Sequence, residues 1–83
     1  MHELSVALEI CRLAEDRLGA GDASRLIAVG VAVGDEAGVE ADNLAFCLDA
    51  LLTAPPFGAG HAVIERVTGD ALRLDYLEVD DGG

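Results

Sequence analysis

Positive charge is the scarcest ingredient of this chain. Its 83 residues carry 5 lysines plus arginines against 16 aspartates plus glutamates, a formal net charge of −11. A nucleic-acid binder needs clustered cations to displace counterions from phosphates, so that class is excluded. An anionic membrane surface would repel the chain for the same reason. Tryptophan is absent and aromatics amount to 4%, which leaves Leu, Val, Ile and Ala to build the core. The only cysteines are Cys11 and Cys47. Without a C-x-x-C pair they cannot form a zinc site by themselves. Both sit in apolar helical patterns, where a free cysteine acts as a small core residue, and both are expected to be buried and reduced. No apolar run approaches the roughly 18 residues of a membrane span. The opening MHELSVALEICRLAEDR is cut by Glu3, Glu9 and Arg12, unlike a signal peptide. A cytoplasmic protein with no membrane or nucleic-acid partner is expected.

What the chain does have is apolar bulk. Hydrophobic residues make up 52%, with a mean hydropathy of +0.37, too apolar for a disordered acidic tail. The length bounds the chain to one domain, residues 1–83. From Leu4 to Leu18 the residues Leu4, Ala7, Leu8, Cys11, Ala14 and Leu18 recur at helical spacing, with Glu9, Arg12 and Asp16 opposite. Val6, Ile10 and Leu13 widen the apolar arc beyond what one small sheet covers. Gly19, Ala20 and Gly21 end this helix. Ser24 to Val33 reads as a strand, with Ile27, Val29, Val31 and Val33 on a core-like face and the small set Leu26, Ala28, Gly30 and Ala32 on the other. A neighbour lying close against that small face is expected.

Glu40 to Ala54 is a second helix with the stripe Leu44, Cys47, Leu48, Leu51 and Leu52, stopped by Pro55-Pro56. Ala62–Val67 and Leu72–Val79 are two further strands, and Gly69-Asp70 suits a two-residue hairpin turn between them. In the last strand Leu72 and Leu74 share one parity and Leu77 and Val79 the other, which predicts a β-bulge near Asp75 or Tyr76. Asp80 to Gly83 reads as a frayed tail. The fold expected is α+β: a three-stranded mixed sheet with two helices packed against it, in the order helix, strand, helix, strand, strand. Its first two strands should be parallel and its final pair an antiparallel hairpin.

The chemistry concentrates at the chain start. Met1-His2-Glu3 offers the Met1 amine, the His2 backbone nitrogen and a His2 ring nitrogen in a chelating row, and the Glu3 backbone nitrogen or carboxylate can be a fourth donor. A flat nitrogen set suits Ni²⁺ or Cu²⁺ better than Zn²⁺. The first N–H groups of a helix lack intrahelical acceptors, so deprotonating one there breaks no helical hydrogen bond. The plainer reading is a solvated terminal His2 and a Glu3 that complements the helix dipole. His61 reads as an ordinary exposed residue at a strand start, and Asp35, Glu36 and Glu40 as a solvated loop with helix N-terminal acids. Asp80 and Asp81 read as a solubilising tail. No paired nucleophile and base, and no phosphate loop, stands out.

The segments MHELS, VAVGDEAGVE, NLAFCLDAL, HAVIERV and LRLDYLEVDD, in that order, make the chain resemble the HypA/HybF family of hydrogenase-maturation nickel metallochaperones over essentially its whole length. The resemblance implies that Met1, His2 and Glu3 are the nickel-binding end. It also implies delivery of Ni²⁺ to the large subunit of [NiFe]-hydrogenase, in some organisms to urease, together with a HypB-type GTPase. One departure is large. Family members carry a zinc module with two C-x-x-C pairs between the last two strands. Here Val67 runs through Thr68-Gly69-Asp70 straight into Ala71, so a short turn at 68–70 stands in its place and no zinc site is expected. The expected function is that of a non-enzymatic nickel-binding maturation factor. The alternative is a metal-free scaffold or interaction module in hydrogenase maturation or assembly. It is motivated by the small apolar strand face and the wide arc of the first helix, which also suggest a homo-oligomer.

Overall fold

The computed structural model describes residues 3–82. Helix α1 spans Glu3–Leu18 and buries Ala7, Ile10, Cys11 and Ala14. At 100° per residue these four centre on two alanines, which lets the helix lie close to its neighbours. The cost is that Leu4 and Leu8 swing onto a flank and remain half exposed, at 53% and 51%. The core stripe is therefore rotated toward Ile10 from the one the leucines suggest. Gly19, at φ +79°, closes the helix, its N–H bonding the Glu15 carbonyl at 2.8 Å. A single 3-10 turn, Ala23–Arg25, takes the place of the expected strand start at Ser24.

Strand β1 (Leu26–Gly34) is followed by α2 (Ala41–Leu52), β2 (His61–Val67) and β3 (Leu72–Val79). The sheet order is β2-β1-β3. Strand β1 pairs parallel with β2 and antiparallel with β3, so the mixed α+β architecture is as expected. The expected β2–β3 hairpin is not. The two strands flank β1 on opposite sides, about 10 Å apart at two strand spacings. Residues 68–71 therefore straddle the end of β1 instead of making a two-residue turn. The straddle is held by backbone bonds from Gly34 N to Ala71 O at 2.7 Å, Asp35 N to Val67 O at 3.0 Å and Glu36 N to Gly69 O at 2.7 Å. It passes so close to Gly34 that a Cβ there would strike the Gly69 carbonyl.

The register explains which strand residues reach the core. Val29, Val31 and Val33 do, together with Leu26 in place of Ile27. A register shift between Leu26 and Ala28 leaves Ile27 without a partner and moves Leu26 to the inner side. The second shift pairs Gly30 with Tyr76 and Val31 with Leu74, so Asp75 is the extra residue of the bulge that the parity switch predicts. Helix α2 supplies Leu44, Leu48 and Leu52, all fully buried, each worth about 1.5–3 kcal/mol of burial. Glu40 caps it, its carboxylate accepting from Asp42 N and Asn43 N.

On the face of the sheet away from the helices, three cross-strand rows run His61–Ala28–Glu78, Val63–Gly30–Tyr76 and Glu65–Ala32–Arg73. The close neighbour expected over the small residues is intramolecular: the Tyr76 ring lies across Gly30, where a Cβ would overlap it. At the start of the expected frayed tail, Asp80 is held in place. Asp80 N bonds the Arg25 carbonyl at 2.9 Å, and Arg25 Nε donates to the Asp80 carbonyl at 2.8 Å.

Candidate metal centre

Met1 and His2 lie outside the described residues, and Glu3 opens α1. Its Oε2 accepts the Glu40 N–H at 3.0 Å. Glu40 in turn accepts from Asp42 N at 3.3 Å through Oε1 and from Asn43 N at 2.7 Å through Oε2. The starts of the two helices are thus joined carboxylate to amide. Each carboxylate meets the positive end of a helix dipole, the favourable sense. The same charges offset the repulsion a cation would feel beside two helix N-termini.

Beside this junction is a cavity of about 280 Å³ at the C-terminal end of β1, lined by Val33, Gly34, Asp35, Glu40, Ala41 and Arg66 among others. Arg66 Nη2 donates to Asp42 Oδ1 at 2.6 Å, an exposed pair that keeps a cation at the start of α2. Asp35 Oδ1 accepts from Gly69 N at 2.9 Å and so fastens the 68–71 straddle. The acidic residues of this region therefore have structural work beyond solvation. Glu40 as a cap had little sequence signal, since Ser, Thr, Asp and Asn dominate that position. Asp49, whose Oδ1 accepts from Ala62 N at 2.8 Å and ties α2 to β2, had none.

The other ligand candidates stay apart. His61 pairs opposite Ala28, six residues and roughly 20 Å back along β1 from Gly34, and is exposed. Cys11 is buried and Cys47 partly so, both as free thiols. Burial, with Glu15 as the lesser cause, pushes the Cys11 thiol up to about 11, so at neutral pH it is held as a protonated core thiol. Among the described residues, no three His, Cys, Asp or Glu side chains converge to hold a metal ion. Nor, among them, is any helix long and apolar enough to cross a membrane.

Residues 1–72 match the sequence model of a family described as hydrogenase/urease nickel incorporation, metallochaperone, HypA. Among curated proteins, the chain is similar to the hydrogenase maturation factor HypA of Geobacter metallireducens, 33% identical over 69 residues that make up 83% of this chain and 60% of that one. It is 36% identical to the HypA of Chloroflexus aurantiacus over 67 residues, 81% of this chain and 59% of the relative. The HypA of Streptomyces avermitilis is 36% identical over 72 residues, 86% of this chain and 55% of the relative. These matches thus span between 55% and 60% of their relatives' lengths.

Proposed function

This chain belongs to the HypA family, and from that premise we propose that it is a non-enzymatic, nickel-binding maturation factor acting in the cytoplasm, with Ni²⁺ as its cargo. The observation that carries the reading is the family match, which begins at Met1 and takes in the Met1-His2-Glu3 start. The Met1 amine, the His2 backbone and ring nitrogens and a nitrogen from Glu3 form a flat donor set suited to Ni²⁺. The Glu3–Glu40 bond favours the backbone nitrogen of Glu3 over its carboxylate as the fourth donor, because that carboxylate already holds the start of α2. As the first residue of α1, Glu3 can give up its amide proton without loss of an intrahelical bond. Uptake would release protons, so affinity falls as pH falls. The partners proposed are a hydrogenase large subunit as recipient and a HypB-type GTPase. With two cysteines and a four-residue link between β2 and β3, the chain is proposed to act without a zinc site of its own.

Calorimetric titration of the untagged chain with Ni²⁺ tests this. One ion per chain is expected, with loss of binding in His2→Ala and after an N-terminal extension that converts the amine to an amide. Unchanged binding in both variants would refute the site. No heat from the native chain would leave the metal-free interaction module.

A further inference from the structure

The apolar surplus of α1 opens onto a groove between that helix and β3. Val6, Ile10, Leu13, Leu72 and Leu74 line a space of about 400 Å³, with Ser5, Glu9 and Arg73 as its polar members. The groove runs beside a terminal strand of the sheet, since β3 is last in the order β2-β1-β3. An open strand edge is a template for pairing with another chain, and here the sequence of the strand says which one.

We propose that β3 is a homodimerisation edge: two copies pair β3 with β3 antiparallel about a twofold axis between Asp75 and Tyr76, making one six-stranded sheet. In that register Arg73 of each copy faces Glu78 of the other, Leu74 faces Leu77, and Leu72 faces Val79. The charged pair Arg73–Glu78 is of opposite sign and the aliphatic pairs Leu74–Leu77 and Leu72–Val79 are matched, with Asp75 facing Tyr76 beside the axis; each pair occurs twice, as an isologous contact requires. The match of faces depends on the bulge. Leu72, Leu74 and Leu77 pack on the core side, while Arg73, Tyr76 and Glu78 sit opposite Ala32, Gly30 and Ala28 on the open face. In a regular strand without the bulge, Leu74 and Leu77, three positions apart, would point to opposite sides and no register would satisfy both sets. A slip of one residue sets Arg73 against an inward leucine. The α1–β3 groove then receives the partner's Leu77 and Val79, covering Val79, which is 39% exposed in the single chain. Arg73, now bonded to Asp75 through Nε at 2.5 Å, turns its remaining donors across the axis. The net charge of −11 on each copy opposes association only at long range, and at physiological salt it is screened beyond about 8 Å.

Sedimentation equilibrium on the untagged chain, without added metal, decides the matter. A species of twice the 8.5 kDa chain mass is expected. Arg73→Glu and Glu78→Arg each place two like-charged pairs across the axis and should weaken association by at least about tenfold. Mixed in equal amounts, the two variants recover the dimer, because every cross-axis pair is again of opposite sign. Far-UV circular dichroism establishes that both variants fold. A monomer at all concentrations, single variants that associate as tightly as the parent, or folded variants that stay apart when mixed would each overturn the proposal.

Discussion

The close approach of Tyr76 to Gly30 makes a quantitative prediction. A Cβ at Gly30 would overlap the ring of Tyr76, so Gly30→Ala forces the aromatic side chain off its seat. Overpacking of this kind costs about 1–3 kcal/mol. Stability of about 0.05–0.15 kcal/mol per residue gives this chain about 4–12 kcal/mol in all, so the loss is readily measured. Each kcal/mol should lower the thermal midpoint by about 4–8 °C. The obstacle is a side chain, and removing it should reverse the sign. In a Tyr76→Ala background Gly30→Ala becomes stabilising by roughly 0.5–1 kcal/mol, the usual advantage of alanine over glycine in a strand. The coupling between the two positions is then about 1.5–4 kcal/mol. Gly34→Ala is the control: a Cβ there meets the backbone of Gly69 and Ala71, so its cost should be the same with or without Tyr76. Urea melts followed by far-UV circular dichroism, all at one protein concentration, measure the cycle. Equal penalties for Gly30→Ala in the two backgrounds would refute the reasoning.

The raised Cys11 thiol binds its proton more tightly in the folded chain than in the unfolded one. Stability should therefore be intact below the ordinary thiol range and fall as pH rises from about 9 to about 11. Denaturant melts of the parent against Cys11→Ala would show this slope lost in the variant, and an identical slope in both would disprove it. At Glu3 two substitutions separate backbone from carboxylate. Glu3→Ala should keep one Ni²⁺ per chain while lowering stability by about 1 kcal/mol through loss of the bond to Glu40. Glu3→Pro, tolerated at the first helical position but without an N–H, should weaken nickel binding strongly; calorimetry giving the opposite ranking would make the carboxylate the donor.

Much of the fold was legible wherever a period was long enough to read. Leu44, Leu48 and Leu52 announce one buried face of α2, and the prolines after it mark its end. The parity change between Leu74 and Leu77 reveals the bulge, because a period of two cannot change phase without an extra residue. The β2–β3 link misled because Gly69-Asp70 satisfies the local chemistry of a hairpin while the pairing is decided elsewhere. Strand β1 lies in the middle of the sheet because it pairs with both β2 and β3, whereas its apolar residues on both faces speak only of coverage above and below. Ile27 and Leu26 exchanged roles for a similar reason: a bulge on a uniformly apolar strand leaves no trace in its pattern. Of the candidate site, Glu3 was visible as a first-turn acid, but its bond to Glu40 joins residues 37 positions apart, and no local pattern carries such a contact.

With no tryptophan and a single tyrosine, the near-ultraviolet optics of this protein come almost wholly from one ring. That ring rests on Gly30 at the middle of the exposed sheet face and beside the strand edge. Its emission and dichroism therefore report on one known spot. Unfolding or a change at that edge can be followed without attaching any dye.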